Sequence, residues 1–402
     1  MRIGIFTDTY PPFLNGVSTS ISMLERALRK KGHQVYIVTV NPDNMSYVYE
    51  KNIIRLPGIP IGIYDYRATV IYSIRALKTI KKWNLDIIHT HTEFGVGTYA
   101  RIIAKQLNIP VVHTYHTMYE DYVHYITHGY FNTPSKKIVE YLTKFYCDKT
   151  AQELIVPTKK AYDLFKEKYK VEKNVHIIPT GIEIEKFYKE NINQKKLNKL
   201  REELGIKKED KIIVYVGRLA EEKNVDFLID NQEYITKKAK NAKLLIVGSG
   251  PDLERFQEKS EKQKENIIFT GPVPYNQIEY YYNLGDIFVT ASTTETQGLT
   301  VIEAMSAGIP VVAIKDESFK NTIIHELNGY LFEEKEDYRK YIIDLIENEE
   351  LRKKLGNQAR ISTIEYSSKY YAERVLDVYK HTIEQNKKQM SLIEKLKQNL
   401  KN

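Results

Sequence analysis

Hydrophobic and polar positions switch between two periods along this chain. Arg2 to Phe6 is an apolar run of strand length, Pro11, Pro12 and Gly16 mark a loop, and apolar residues recur at helical spacing from about Ser18 to Lys31. Gln34 to Val40 is a second apolar strand, so the segment predicts a β-α-β unit. Gly32 stands where a helix-terminating glycine is expected, with Lys30 and Lys31 favouring the negative end of the helix dipole. Short apolar strands recur at Asp86 to His89, Val111 to His113 and Leu154 to Val156. A second series runs through Lys211 to Gly217, Leu244 to Gly248, Ile267 to Phe269, Ile287 to Thr290 and Val311 to Ile314. Strands alternating with helices predict two successive parallel-sheet domains. The boundary is expected near Pro179 to Ile182, because the following stretch to Asp210 is rich in charge and poor in apolar residues.

Two further helical patterns stand out. From Arg67 to Trp83, Val70, Ile71, Ile74, Leu77 and Ile80 form an apolar stripe beside Arg67, Arg75, Lys78, Lys81 and Lys82. Such a basic amphipathic helix suits an anionic membrane surface, or equally packs its stripe on a sheet. Ser135 to Thr150 is a second, weaker basic candidate. Near the end, about 367–385 is helical with Tyr370, Tyr371, Val375, Val378 and Tyr379 on one side, and 386–402 is a Lys-rich tail. That tail reads as a frayed helix, a membrane contact or a partner-binding helix.

At 402 residues the chain is too long for one ordinary domain and fits two. Sixty Lys and Arg against 52 Asp and Glu give a formal charge of +8, which favours acidic surfaces. No zinc-finger or RNA-binding spacing is present, so anionic membrane is preferred to nucleic acid. One cysteine, Cys147, cannot form an intrachain disulfide and suits a reducing compartment. No signal-sequence pattern opens the chain, and no apolar run approaches the roughly 20 residues that span a bilayer. A cytoplasmic protein touching the inner membrane face peripherally is the expectation.

The chemistry concentrates in Glu295-Thr-Gln-Gly298-Leu-Thr-Val-Ile-Glu303, two carboxylates separated by seven residues around a glycine that opens an apolar helix. A loop carboxylate, a second on the helix and the helix N-terminus can converge on a ligand bearing hydroxyls and phosphate. Thr300 and Glu303 also read as a capping box. Upstream, Val214-Tyr-Val-Gly217-Arg218 runs from a strand into a loop ending at Lys223, two cations beyond a strand's C-terminal end that could hold a diphosphate or pair with Glu221 and Glu222. Gly248 and Gly250 after a strand suit a phosphate-approach loop or a tight turn, and Gly16 in a loop opening a helix suits either role too. His89, His91, His113 and His116 lack a metal-ligand spacing and read as structural or cleft histidines.

On these residues the chain resembles the family 4 glycosyltransferases of the GT-B fold, which share this Glu-x7-Glu signature. Asp8 to Ser20, His91 to Gly95 and Tyr115-His116 to Tyr122 further resemble bacterial diacylglycerol glucosyltransferases. The resemblance implies an α/β GT-B architecture, two Rossmann-like parallel-sheet domains facing each other across a cleft. It assigns 1–180 to an acceptor-binding domain, 181–366 to a nucleotide-sugar domain, and the helix 367–385 to a crossing back onto the first. It also implies transfer of glucose from UDP-glucose to 1,2-diacylglycerol with retention of configuration, by Arg218, Lys223, Glu295 and His116, without a metal at the donor site. Gly16, Gly248, Val273, Gln297, Gly298, Leu299, Thr300 and Glu303 would bind the donor. Transfer to a phosphatidylinositol-type lipid or a small polar acceptor, and a silent nucleotide-sugar sensor, are the alternative readings.

Overall fold

The computed structural model describes residues 1–399 except 14, 44, 61–66, 70–72, 117–139 and 296; the side chains of 68 and 393–399 are also outside the described set. The chain divides into two compact units, Met1–Gly181 with Ser368–Asn402, and Ile182–Ser367.

Among the described residues the first unit carries ten strands: β1 Arg2–Phe6, β2 Gln34–Val40, β3 Val48–Glu50, β4 Ile53–Leu56, β5 Gly58–Pro60, β6 Arg67–Thr69, β7 Ile87–Thr90, β8 Val111–Thr114, β9 Glu153–Val156 and β10 Asn174–Ile177. Eight form one sheet in the order β10-β9-β8-β7-β1-β2-β4-β3, parallel except for the β3/β4 edge; β5 and β6 form a separate pair. Fully buried Ile3, Ile5, Ile37, Ile87 and Val112 explain why these strands read as near-continuous apolar runs, since helices cover both faces of a parallel sheet.

Helix α1, Gly16–Lys30, is capped by Asn15, whose side chain accepts the Ser18 amide at 2.9 Å. It ends before Gly32, which sits at φ +82°, the left-handed conformation glycine adopts without strain. Helix α2, Ile74–Trp83, begins at its Ser73 cap rather than at Arg67: Arg67 lies in β6 and hydrogen-bonds the Gly58 carbonyl. Its stripe of Ala76, Ile80 and Trp83 is buried in the core, with the Trp83 ring 4.7 Å from that of Tyr36. Of the two readings of this segment, the apolar face therefore belongs to the sheet, and the terminal Trp is unavailable to a membrane. Val70 and Ile71 lie outside the described residues. Of the Ser135 to Thr150 candidate, 135–139 are also outside, 140–144 are helical, and Phe145–Lys149 forms one π-helical turn.

The C-terminal helix runs Ser368–Asn399, continuing from the patterned segment into the Lys-rich tail. Its Tyr371, Val375, Val378 and Tyr379 join Ile21, Leu24 and Leu28 of α1 in one core, so this last segment completes the first unit. Each such fully buried side chain contributes roughly 1.5–3 kcal/mol.

The second unit carries β11 Lys211–Val216, β12 Ala242–Val247, β13 Ile267–Phe269, β14 Ile287–Thr290, β15 Val311–Ile314 and β16 Gly329–Phe332. They form a parallel sheet ordered β13-β12-β11-β14-β15-β16, with apolar cores on both faces. In each unit the strand order reverses beside the first strand, at β1/β7 and at β11/β14. The crevice beyond the strand ends at such a reversal is where open α/β sheets place ligands.

Candidate active site

Both halves of the second unit's sequence signature leave the strands that flank its reversal. Gly217 and Arg218 follow β11, and the loop 291–298 follows β14. The Tyr215 hydroxyl donates to the Arg218 carbonyl at 3.0 Å, fixing the strand exit. A Cβ at Gly248 (φ +135°) would overlap the Gly217 carbonyl oxygen, and one at Gly250 the Leu219 carbonyl oxygen. These two glycines thus let the β12 loop lie against the Arg218 loop, a close backbone approach that accounts for them without a phosphate.

Lys223 ends a short 3-10 turn, and its ammonium meets Glu295 Oε1 at 2.6 Å. Its partner is therefore the signature carboxylate across the reversal, not Glu221 or Glu222. Burial pushes the Glu295 carboxyl up, but the Lys223 charge and hydrogen bond outweigh it and leave Glu295 below its ordinary range. Glu295 is thereby an anion, held still by a cation; its backbone carbonyl accepts the Ser318 hydroxyl.

Gly298, at φ +73°, caps the helix Leu299–Ser306, and a Cβ there would lie 2.5 Å from a ring carbon of Phe319. Since Gly298 is the cap, Thr300 stands inside the first turn, and Thr300 with Glu303 is not a capping box. Glu303 instead accepts the Tyr282 hydroxyl at 2.6 Å. Burial drives its carboxyl up to about 7, with Tyr282 and the Lys186 charge opposing. The free amides of this helix N-terminus, at Leu299 and Thr300, and the buried Gln297 lie between the two carboxylates in sequence. Val273 is half-buried against the core that contains Tyr282 and Met305. Lys186 stacks over the Tyr275 ring at 4.0 Å and pairs with Glu279 at 3.1 Å. Sequence reasoning missed Tyr282 and Lys186, which lie 21 and 117 positions before Glu303 with no shared motif.

In the first unit Gly16 is exposed at the first position of α1, and a Cβ there would meet nothing within 4 Å. Its own fold does not require glycine, which leaves room for a ligand at the helix N-terminus. Around the β1/β7 reversal lies a buried polar cluster that composition could not reveal. Asp8 Oδ1 accepts the Val96 amide at 2.8 Å and so caps α3, Val96–Leu107, whose own cap residue Gly95 has no side chain. Burial, partly opposed by Thr92 and the Val96 amide, raises the Asp8 carboxyl to about 6. His113 Nε2 meets Glu93 Oε1 at 3.0 Å, and Arg101 donates to the Gly97 carbonyl at 2.8 Å. Glu93, His113 and the Cys147 thiol offer ligand atoms within 4.8 Å of one another. Glu93 already engages the His113 nitrogen, burial holds the thiol far above its ordinary range, and Arg101 adds positive charge nearby. This donor set is that of a hydrogen-bonded cluster. His116 follows β8, its Nε2 2.8 Å from His91 Nδ1; Thr117 to Tyr122 lie outside the described residues.

Two doubly wound parallel-sheet units, with two acids and a half-buried cation at the reversal of the second, are the architecture of the GT-B glycosyltransferases. Residues 14–186 match the model of Glycosyltransferase Family 4, and 197–362 that of Glycosyl transferases group 1. The chain is 36% identical over 396 residues to the alpha-monoglucosyldiacylglycerol synthase of Streptococcus pneumoniae, covering 98% of this chain and 88% of that one. It is 34% identical to the enzyme of the same name from Acholeplasma laidlawii, covering 97% and 100%. In fold it is similar to Anabaena HepE, solved with UDP and glucose, at a TM-score of 0.73 and 14% identity over 95% of this chain and 100% of that one. The chain belongs to glycosyltransferase family 4.

Proposed function

We propose that this enzyme transfers glucose from UDP-glucose to the free hydroxyl of 1,2-diacylglycerol, retaining the anomeric configuration. The acceptor assignment rests on full-length similarity to two alpha-monoglucosyldiacylglycerol synthases. The observation that carries the chemistry is the Lys223–Glu295 ion pair at the sheet reversal. Breaking the glycosidic bond builds negative charge on the departing diphosphate; Lys223 and Arg218 act on that charge more strongly in the transition state than before it. Glu295 meets the sugar hydroxyls, Glu303 the ribose hydroxyls, and His116 the sugar or the acceptor. The cations take the role a divalent metal plays elsewhere.

Transfer of radiolabelled glucose into chloroform-extractable product, from vesicles of diacylglycerol and anionic lipid, tests this reading. Label should appear in lipid with the wild-type enzyme and vanish with Glu295→Ala. Release of UDP only with soluble sugars would discard the lipid acceptor while keeping the donor site.

Membrane engagement is assigned to the solvent side of α2. Among the described residues no helix is long and apolar enough to cross a membrane. Exposed Arg75, Lys78, Lys81 and Lys82 lie on this helix beside Ile74, which is 63% exposed. The Tyr47–Tyr49 segment flanks them, Arg75 stacking over the Tyr47 ring at 4.4 Å and Trp83 reaching the Tyr49 hydroxyl at 3.4 Å. With about 1 kcal/mol of attraction per cation, reversing Lys78, Lys81 and Lys82 to Glu should reduce sedimentation with anionic vesicles at least about hundredfold at low salt. Hydrolysis of the donor in solution should be unaffected. Equal sedimentation of variant and wild type would move the contact elsewhere.

A further inference from the structure

His91 and His116 leave neighbouring strands, β7 and β8, and their rings are nearly coplanar, with 21° between planes and centroids 5.1 Å apart. His91 Nδ1 lies 2.8 Å from His116 Nε2, so the contact is an in-plane N–H···N bond that holds one proton. Both rings are neutral: burial, reinforced by the neighbouring histidines, holds His91 well below its ordinary range and brings His116 down to about 4. Each ring then carries one N–H, and which nitrogen bears it decides what His116 offers a substrate.

The remaining nitrogen of His91 settles the choice. His91 Nε2 is enclosed and meets no hydrogen-bond partner among the described residues. The ring beside it, His89 at 4.0 Å between centroids, cannot serve, because its own nitrogens engage the Tyr379 hydroxyl at 2.6 Å and the Thr114 hydroxyl at 2.7 Å. A buried N–H without an acceptor is the costlier orphan; a bare lone pair is the more tolerable one. His91 therefore bears its proton on Nδ1 and donates it to His116 Nε2. His116 in turn bears its proton on Nδ1.

We infer that His91 is a positioning residue that locks His116 as the Nδ1–H tautomer, so that His116 meets the substrate as a hydrogen-bond donor to an oxygen and not as a proton acceptor. The inference rests on the proposed placement of His116 at the substrate. It leaves His116 no free lone pair to take the acceptor hydroxyl proton, a task that then falls to the departing diphosphate. Tyr379 of the C-terminal helix and Thr114 support the arrangement by holding His89 against His91.

The tautomer can be read without substrate, from side-chain 15N resonances of histidine-labelled protein, with His116 assigned by loss of its signals in His116→Gln. The expected spectrum shows an unprotonated Nε2 and a protonated Nδ1 for His116. A protonated Nε2 would overturn the inference. In transfer assays His91→Asp, which only accepts, should force the other tautomer and lower kcat about tenfold to hundredfold. His91→Asn, whose amide N–H takes the place of Nδ1–H, should recover most of that loss and the wild-type spectrum. An expected spectrum with full activity in both His116→Gln and His91→Asp would instead remove His116 from the site and end the positioning role.

Discussion

Lys223→Met is expected to lower kcat for glucosyl transfer by about 10²–10³-fold, the loss seen when one fixed donor to a developing charge is removed. The ammonium does two things that this variant alone cannot separate. In the proposed function it faces the departing diphosphate, and in the fold it neutralises Glu295 at 2.6 Å where both side chains are largely buried. Taking it away strands a carboxylate that burial already disfavours, which should cost about 2–3 kcal/mol of stability. The double variant Lys223→Met/Glu295→Gln removes the stranded charge and should recover most of that stability while transfer stays low. Thermal unfolding and single-turnover transfer, measured on both proteins, give the answer. Activity that returns together with stability would make Lys223 a structural counter-ion and leave the leaving group to Arg218.

That outcome bears on how much of this enzyme was legible beforehand. The strand exits were readable because a parallel strand buried on both faces writes itself as a bounded apolar run, and cations after such a run point at the sheet reversal. The Lys223–Glu295 pair was not, since 72 positions separate its members and nothing local at Lys223 favours Glu295 over the adjacent Glu221 and Glu222. The capping box failed for a related reason: Gly298 at φ +73° took the cap, and a short motif cannot tell a cap position from the turn after it. Around Arg67 to Trp83 the helix was right from Ile74 onward, but its buried face is Ala76, Ile80 and Trp83 while Ile74 of the expected stripe is exposed, and period alone does not say whether an apolar stripe faces a sheet or a bilayer. The contact of Trp83 with Tyr36 decides that, and it joins segments 47 positions apart. The largely buried cluster of Asp8, His91, Glu93 and His113 was invisible for want of any fixed spacing, although Asp8, His91 and Glu93 follow strands and His113 lies next to the end of one at the β1/β7/β8 rim.

Glu303→Gln is expected to reverse its effect with pH. In the folded enzyme the Glu303 carboxyl titrates near 7 because burial disfavours its charge, against an ordinary value of 4.5. The folded state therefore holds this proton more tightly than the unfolded chain. Stability from this group is complete below about pH 4.5, declines as pH rises, and is gone above about pH 7, a loss of about 3 kcal/mol. Glutamine resembles the protonated acid in shape and still accepts the Tyr282 hydroxyl. Variant and wild type should thus unfold alike near pH 4, with the variant ahead by as much as about 3 kcal/mol at pH 8. Donor binding should run the other way. Ribose hydroxyls donate more strongly to a carboxylate than to a neutral acid, so binding UDP-glucose should expel the Glu303 proton and tighten as pH rises from 6 to 8. Calorimetry at pH 6.5 in two buffers of different ionisation enthalpy should detect that proton with the wild type and not with Glu303→Gln. The variant should bind about 10- to 100-fold more weakly at pH 8, as expected for loss of hydrogen bonds to a charged group. Parallel stability profiles for the two proteins would show that Glu303 stays ionised in the free enzyme, and the pH dependence of donor binding would then belong to another group.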